Sequence, residues 1–452
     1  MLNLHLAYFY SLAGVTSTIM DIQSTPFWRR YTDARTYSDM SATKKKRLKA
    51  GLLVLFFSIG SVFCTYSYNN RPIHYRFTKH DAPKNNALGD FTKASTAFQN
   101  IHVAGLGKLY IHEYPSKQDL HKIATESYEA IQYIKSGLSK PLALPEKKPK
   151  WVNDGFEFRM HDLFLATSMY LENQGKYPEA IEARLLGMEF EIKMSKSGPI
   201  MAKYNLALSI SELTTNINVL INKLTPQQLS QVAERLTTIR GSCPEFRDDV
   251  DGMKDLWIQS IIQEQKKDKI FISKFIEFRH GGNNSWASNV SWMAEQFQDK
   301  TAMVRDVTQY LDQIKVEVSG PYHLVPQTKS PKSLTNIGWS QPLWAWNIPL
   351  SARSSVELLR LEVALQNYKL EHNKFPATLA QVAPSYMPSV PLDPLAGEKP
   401  YKYRVKSDGN YLLYGAGPDM KDYGGHPAKF LGLRGGDMVA GKLGFVFSYN
   451  VN

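Results

Sequence analysis

Through the middle of the chain, apolar residues recur every three to four positions in stretches that close on Gly, Pro or polar clusters. That spacing is the mark of amphipathic helices. It predicts helices over Gln118–Ser136, Phe156–Gln174, Tyr177–Met194, Ile200–Lys223, Thr225–Arg240 and Asp251–Gln265. At Thr225-Pro226-Gln227-Gln228 the start is explicit, with Thr225 as N-cap and Pro226 at the first helical position. Two segments break the pattern. Asn69 to about Thr96 is polar, with Pro72, Pro83, Asn85 and Asn86, and reads as a linker; 319–350, with five prolines from Pro321 to Pro349 among aromatic residues, reads as an extended connector. Beyond it, Val356, Leu358, Leu361, Leu365 and Tyr368 share a helical face behind a Ser354-Ser355-Val356-Glu357 capping box. Tyr401/Tyr403 and Tyr411/Leu413 then alternate across a turn at 407–410, which is a β-hairpin pattern.

The longest apolar run is Leu48–Tyr68, uncharged from Ala50 onward. As a helix it reaches about 28 Å at ~1.5 Å per residue, enough to span a bilayer. Lys44, Lys45, Lys46, Arg47 and Lys49 lie against its start, so the positive-inside rule puts the N-terminus in the cytoplasm and the bulk outside. The run is too long for the apolar core of a cleaved signal peptide, and a retained signal-anchor is expected. This basic cluster also accounts for part of the net charge of +12, so no nucleic-acid partner is expected. Two cysteines, Cys64 and Cys243, exclude a disulfide framework or a cysteine-rich zinc site.

The expected organisation is a cytoplasmic tail (1–47), an anchor (48–68), a linker (69–99), a helical domain (100–318), the connector (319–350) and an α+β domain (351–452). Within the helical domain, Leu163, Ala166, Met169 and Tyr170, the turn Asn173-Gln174-Gly175-Lys176-Tyr177 and the following Pro178-Glu179-Ala180 resemble one tetratricopeptide unit. A solenoid needs about three such repeats. With only one, an ordinary hairpin in an irregular bundle is favoured.

The C-terminal region carries an ordered series of short motifs. After the helix come Lys374-Phe375-Pro376, Pro391-Leu392-Asp393-Pro394 with Gly397, Tyr401-Lys402-Tyr403, and Leu413-Tyr414-Gly415-Ala416-Gly417-Pro418-Asp419. From about Leu358 to Gly425 this resembles the globular head of type II secretion major pseudopilins. The chain as a whole is similar to uncharacterised membrane-anchored bacterial proteins that carry the same tail, which places it in a bacterial inner membrane with its bulk periplasmic. The resemblance implies calcium at the loop after Gly-Pro-Asp, where Asp419 and Asp422 are the matching acids. An Asx-type turn is the other reading of these two residues, because Lys421 separates them and His426-Pro427-Ala428-Lys429 stands where the family has a further acidic pair. Asp393 is expected to fix a turn. The apolar run Gly51-Leu52-Leu53-Val54-Leu55-Phe56 lacks the family's glutamate, and the span is remote from the tail helix, so assembly into a pilus is not expected.

No metalloprotease, nucleophile-elbow, P-loop or Cys-x-x-Cys motif is present. His112 and His121 are not on one helical turn, and His280 lies in a polar Gly-Asn loop without an evident partner base. Gly105-Leu106-Gly107 and Gly415-Ala416-Gly417 are too short to argue for phosphate binding. Trp286, Trp292, Trp339, Trp344 and Trp346 either line a carbohydrate or peptide groove or pack in a core or domain interface. The expectation is a non-enzymatic envelope protein that binds protein partners, with secretion or pilus components as the class. The alternative is an anchored enzyme or binder that acts on an envelope polymer through 286–346.

Overall fold

A computed structural model describes residues 71–76, 83–99, 101, 115–143, 156–197, 200–267, 299–318, 342–417, 419–427 and 436–440, with scattered positions elsewhere, mainly between 41 and 69. The described part is mainly helical with a small antiparallel sheet region. The chain divides into two units, one of residues 1–72 with 270–301 and one of 73–269 with 302–452. In the first, the Arg71 guanidinium sits 4.3 Å from the Tyr68 ring centre and pairs with Asp299 at 3.4 Å. Most of Leu48–Tyr68 falls outside the described residues, and among those described no helix is long and apolar enough to cross a membrane.

The second unit holds the core. Its helices are α1 (Leu88–Gln99), α2 (Lys117–Glu126), α3 (Tyr128–Leu138), α4 (Phe156–Asn173), α5 (Tyr177–Ser197), α6 (Ile200–Thr214), α7 (Ile217–Ile221), α8 (Pro226–Ser242) and α9 (Phe246–Lys267). Two more follow, α10 (Lys300–Glu317), whose first residues belong to the other unit, and α11 (Pro342–His372). Thr225 caps α8 as its sequence dictates, accepting from Gln228 N at 3.3 Å while the Gln228 side chain accepts from Thr225 N at 2.9 Å. The α4–α5 turn closes through Gly175 at φ +72°, a left-handed conformation that glycine adopts without steric cost.

Four expectations are corrected. The linker stops short of α1, whose buried face is Phe91, Ala94, Ser95 and Phe98; Phe91 packs edge-on against Phe190 at 5.4 Å. The α1 face meets α3 at Gly137, where a Cβ would lie 2.5 Å from the Phe91 ring. The predicted helix over 200–223 breaks into α6 and α7 at Asn216, which has φ +56°. The connector becomes helical from Pro342, and Pro349 lies inside α11. A proline there forfeits one backbone hydrogen bond; burial of Leu350, Ala352 and Val356 just beyond it holds the helix together. Ser354 and Ser355 therefore sit mid-helix and make no capping box. Ser355 Oγ donates to Ser351 O at 3.1 Å, and Ser354 pairs with the Tyr401 hydroxyl at 3.0 Å.

α11 serves two apolar clusters. Ala352, Val356, Leu359 and Val363 join the cluster built by α1–α8. Leu350, Leu358, Leu361, Ala364 and Leu365 join a second cluster with α9, α10 and the C-terminal strands. Those strands are β1 (Leu392–Asp393) paired with β2 (Lys399–Pro400), and a sheet in the order β3 (Lys402–Val405), β4 (Tyr411–Gly415), β5 (Met438–Val439), antiparallel throughout. The β3–β4 register pairs Tyr403 with Leu413 and Val405 with Tyr411 around the predicted turn.

Candidate functional site

Two polar constructions stand out in the second unit. The first lies among α4, α5 and α6. α5 approaches its neighbours at Gly187, where a Cβ would sit 3.0 Å from Phe164 of α4 and 3.0 Å from Leu213 of α6. One turn along α5 is Glu191; one turn from Phe164 is His161; beside Leu213 is Glu212. The close approach that only glycine permits thus gathers polar side chains in an otherwise apolar layer of Met160, Leu163, Phe164 and Ile210.

His161 Nε2 lies 2.8 Å from Glu212 Oε2 and 3.3 Å from Asp162 Oδ1, and its Nδ1 lies 3.4 Å from the buried Ser209 hydroxyl. Asp162 and Glu191 are buried, Glu191 completely. Burial by itself would push the imidazole pKa down. The hydrogen bond and charge of Glu212, joined by the charges of Asp162 and Glu191, outweigh it and raise the pKa to about 9. Nearby, buried Arg184 donates to Ser168 Oγ at 2.9 Å and to the backbone carbonyls of Leu213 and Thr215, fixing the end of α6.

The second construction is the C-terminal loop. Asp419 Oδ1 accepts from Lys421 N at 3.3 Å and its Oδ2 from the Tyr423 hydroxyl at 2.7 Å; Asp422 Oδ1 accepts from Gly424 N at 2.8 Å. These are the contacts of the turn reading. The loop closes on Asp437, a buried carboxylate that accepts from Tyr423 N at 3.0 Å and Gly425 N at 2.7 Å. Asp393 also organises backbone, accepting from Leu395 N at 2.9 Å and Ala416 N at 2.7 Å. Its burial raises its pKa to about 6 although the amides of Ala416, Leu395 and Ala396 act to lower it. The Gly415-Ala416-Gly417 stretch is a close-packing device: a Cβ at Gly417 would lie 1.9 Å from the Gly436 carbonyl oxygen.

Trp286, Trp292 and Trp339 lie outside the described residues, as do His112 and His280; Trp344 and Trp346 fall in the first turns of α11. His121 meets the Tyr170 hydroxyl at 3.0 Å. Cys243 is buried, and burial pushes its thiol up to about 11, which makes it a poor nucleophile. Among the described residues, His161, Asp162 and Glu212 form the group of three side chains whose ligating atoms all lie within 4.8 Å of one another; Asp419, Asp422 and Asp437 do not form one. Sequence reasoning passed over His161 and Glu212 because they lie on separate helices far apart in the chain. The available signal was polar residues on a helix buried nearly all round, with Met160, Leu163, Phe164, Leu165 and Ala166 all inside.

No protein-family model matches the chain, and neither does any curated protein or solved structure.

Proposed function

We propose that this chain is a non-enzymatic, single-span envelope protein, anchored through 48–68, whose helical region and pseudopilin-like tail face the periplasm and bind protein partners such as secretion or pilus components. One observation carries this reading: α11, the helix of the pseudopilin-like segment, is buried against the helical cluster through Val356 and Leu359 and beneath the strands through Leu361 and Leu365. Covered on both sides, this helix has no long apolar stripe left among its described residues to stack in a pilus. This supports a fixed display element over a polymerising subunit. A cleft of about 450 Å³ between α5 and α8, floored by Ile181, Leu185, Leu224 and Val232 and rimmed by Glu182, Glu234 and Arg235, is a place where a partner segment would lie.

The test has two arms in a Gram-negative host. With Cys64 and Cys243 replaced by serine and Gln132→Cys introduced on exposed α3, a membrane-impermeant maleimide should label intact cells. Labelling only after lysis overturns the orientation. A photo-crosslinking residue at exposed Gln231, beside the cleft, should trap a discrete envelope protein; repeated absence of any adduct overturns the partner-binding reading.

A further inference from the structure

At the junction of α4 and α6 an imidazole nitrogen and two carboxylates converge, as described above. Ligand atoms held about 2.1 Å from a common tetrahedral ion sit roughly 3.4 Å apart. Nε2 is already 2.8 Å from one carboxylate oxygen and 3.3 Å from the other, and all three ligand atoms lie within 4.8 Å of one another, so local side-chain adjustment would bring them to a common ion. The ring is also set for the task. Nδ1 lies 3.4 Å from Ser209 Oγ; with Nδ1–H donating there, a metal at Nε2 would meet an oriented lone pair, which is the outer-shell arrangement of metal-bound histidines. Tight packing at Gly187 fixes the helices that carry these groups.

We propose that His161, Asp162 and Glu212 bind one divalent transition-metal ion of the zinc class, tying α4 to α6. One nitrogen and two oxygens suit Zn²⁺, Co²⁺ or Mn²⁺; the set offers no thiolate for Cu(I) and too few oxygens for a calcium cage. Three protein ligands leave a fourth position for water.

The test uses the full chain, purified in detergent, stripped with chelator and titrated with Co²⁺ and then Zn²⁺. One equivalent of Co²⁺ should give a visible absorption band of low-coordinate geometry, Zn²⁺ should displace it, and the melting temperature should rise with the bound fraction. Glu212→Gln and His161→Gln should each weaken binding at least tenfold, and Ser209→Ala by about tenfold, while Asp419→Asn should leave it unchanged. Helical circular dichroism confirms that each variant is folded. No stoichiometric band or thermal shift in the wild-type chain overturns the proposal without recourse to any variant. So does binding that survives both His161→Gln and Glu212→Gln.

Discussion

Arg240 and Glu357 form an ion pair that fastens α11 to α8: the guanidinium Nε donates to one carboxylate oxygen, and Arg360 Nη1 donates to the other at 2.7 Å. The Glu357 side chain is 5% exposed and that of Arg240 23%. Removing the carboxylate would leave two guanidinium groups facing each other with little water to screen them. Glu357→Ala should therefore cost about 2–3 kcal/mol, below the usual range for a fully buried pair because Arg240 keeps some solvent contact. Urea unfolding would measure it. A double-mutant cycle with Arg240→Ala should show coupling of at least ~1 kcal/mol, and additive losses would mean that the pair does not couple.

Gly187 and Gly252 make opposite predictions for the same substitution. Both are in helices, where alanine is intrinsically better by about 1 kcal/mol. At Gly252 nothing lies within 4 Å of a new Cβ, so Gly252→Ala should stabilise by about 0.5–1 kcal/mol. At Gly187 the Cβ would meet Phe164 Cβ at 3.0 Å, an atom fixed to its backbone and unable to swing away. Overpacking should outweigh propensity, for a net loss of about 1–2 kcal/mol. Two thermal denaturation curves decide it, and a stabilising Gly187→Ala would show that α4 can yield.

Glu362 gives the fold a pH dependence. It is buried on α11, and burial raises its pKa to about 8, moderated by the Tyr411 hydroxyl donating at 3.3 Å. In the unfolded chain it ionises near 4.3. Because the folded pKa is the higher, its contribution is fully present below about pH 4 and is lost progressively as pH rises to about 8. Glu362→Gln should match the wild type in the acid range and become more stable by a few kcal/mol by pH 8. Parallel stability–pH curves for the two proteins would contradict this.

The elements that sequence made legible have strong local signals. Thr225-Pro226 starts α8 because a cap and a proline act within one turn, and the Tyr401–Leu413 hairpin follows from alternation about a Gly-Asn turn. α1 was illegible because its buried face is half small and hydroxylated, Ala94 and Ser95 beside two phenylalanines, so its polarity matches a linker. The helix through Pro349 was hidden by prolines that argue locally for extended chain, and the packing of Leu350, Ala352 and Val356 into two clusters just beyond overrides them. Glu357 shows the same effect in one residue: its Ser-x-x-Glu spacing reads as a cap, but its partner is an arginine 117 positions away. The His161 group lies beyond local pattern for that reason, since its members meet only when α4 and α6 pack.

In the C-terminal loop, Asp437 should matter more than the two acids that the resemblance singles out. Its buried carboxylate holds the amides of Tyr423 and Gly425, and its own amide donates to His426 O at 2.7 Å. Asp437→Ala strands two amide donors and should cost about 2–3 kcal/mol. Asp422 is exposed and engages the Tyr414 hydroxyl and one amide, that of Gly424, so Asp422→Ala should cost about 1 kcal/mol or less. Amide hydrogen exchange gives the sharper test. Asp437→Ala should release protection at Tyr423 and Gly425 together, whereas Asp422→Ala should release it at Gly424 alone. If Asp437→Ala leaves Tyr423 and Gly425 protected, the loop is held by its own turns and the carboxylate is incidental to it.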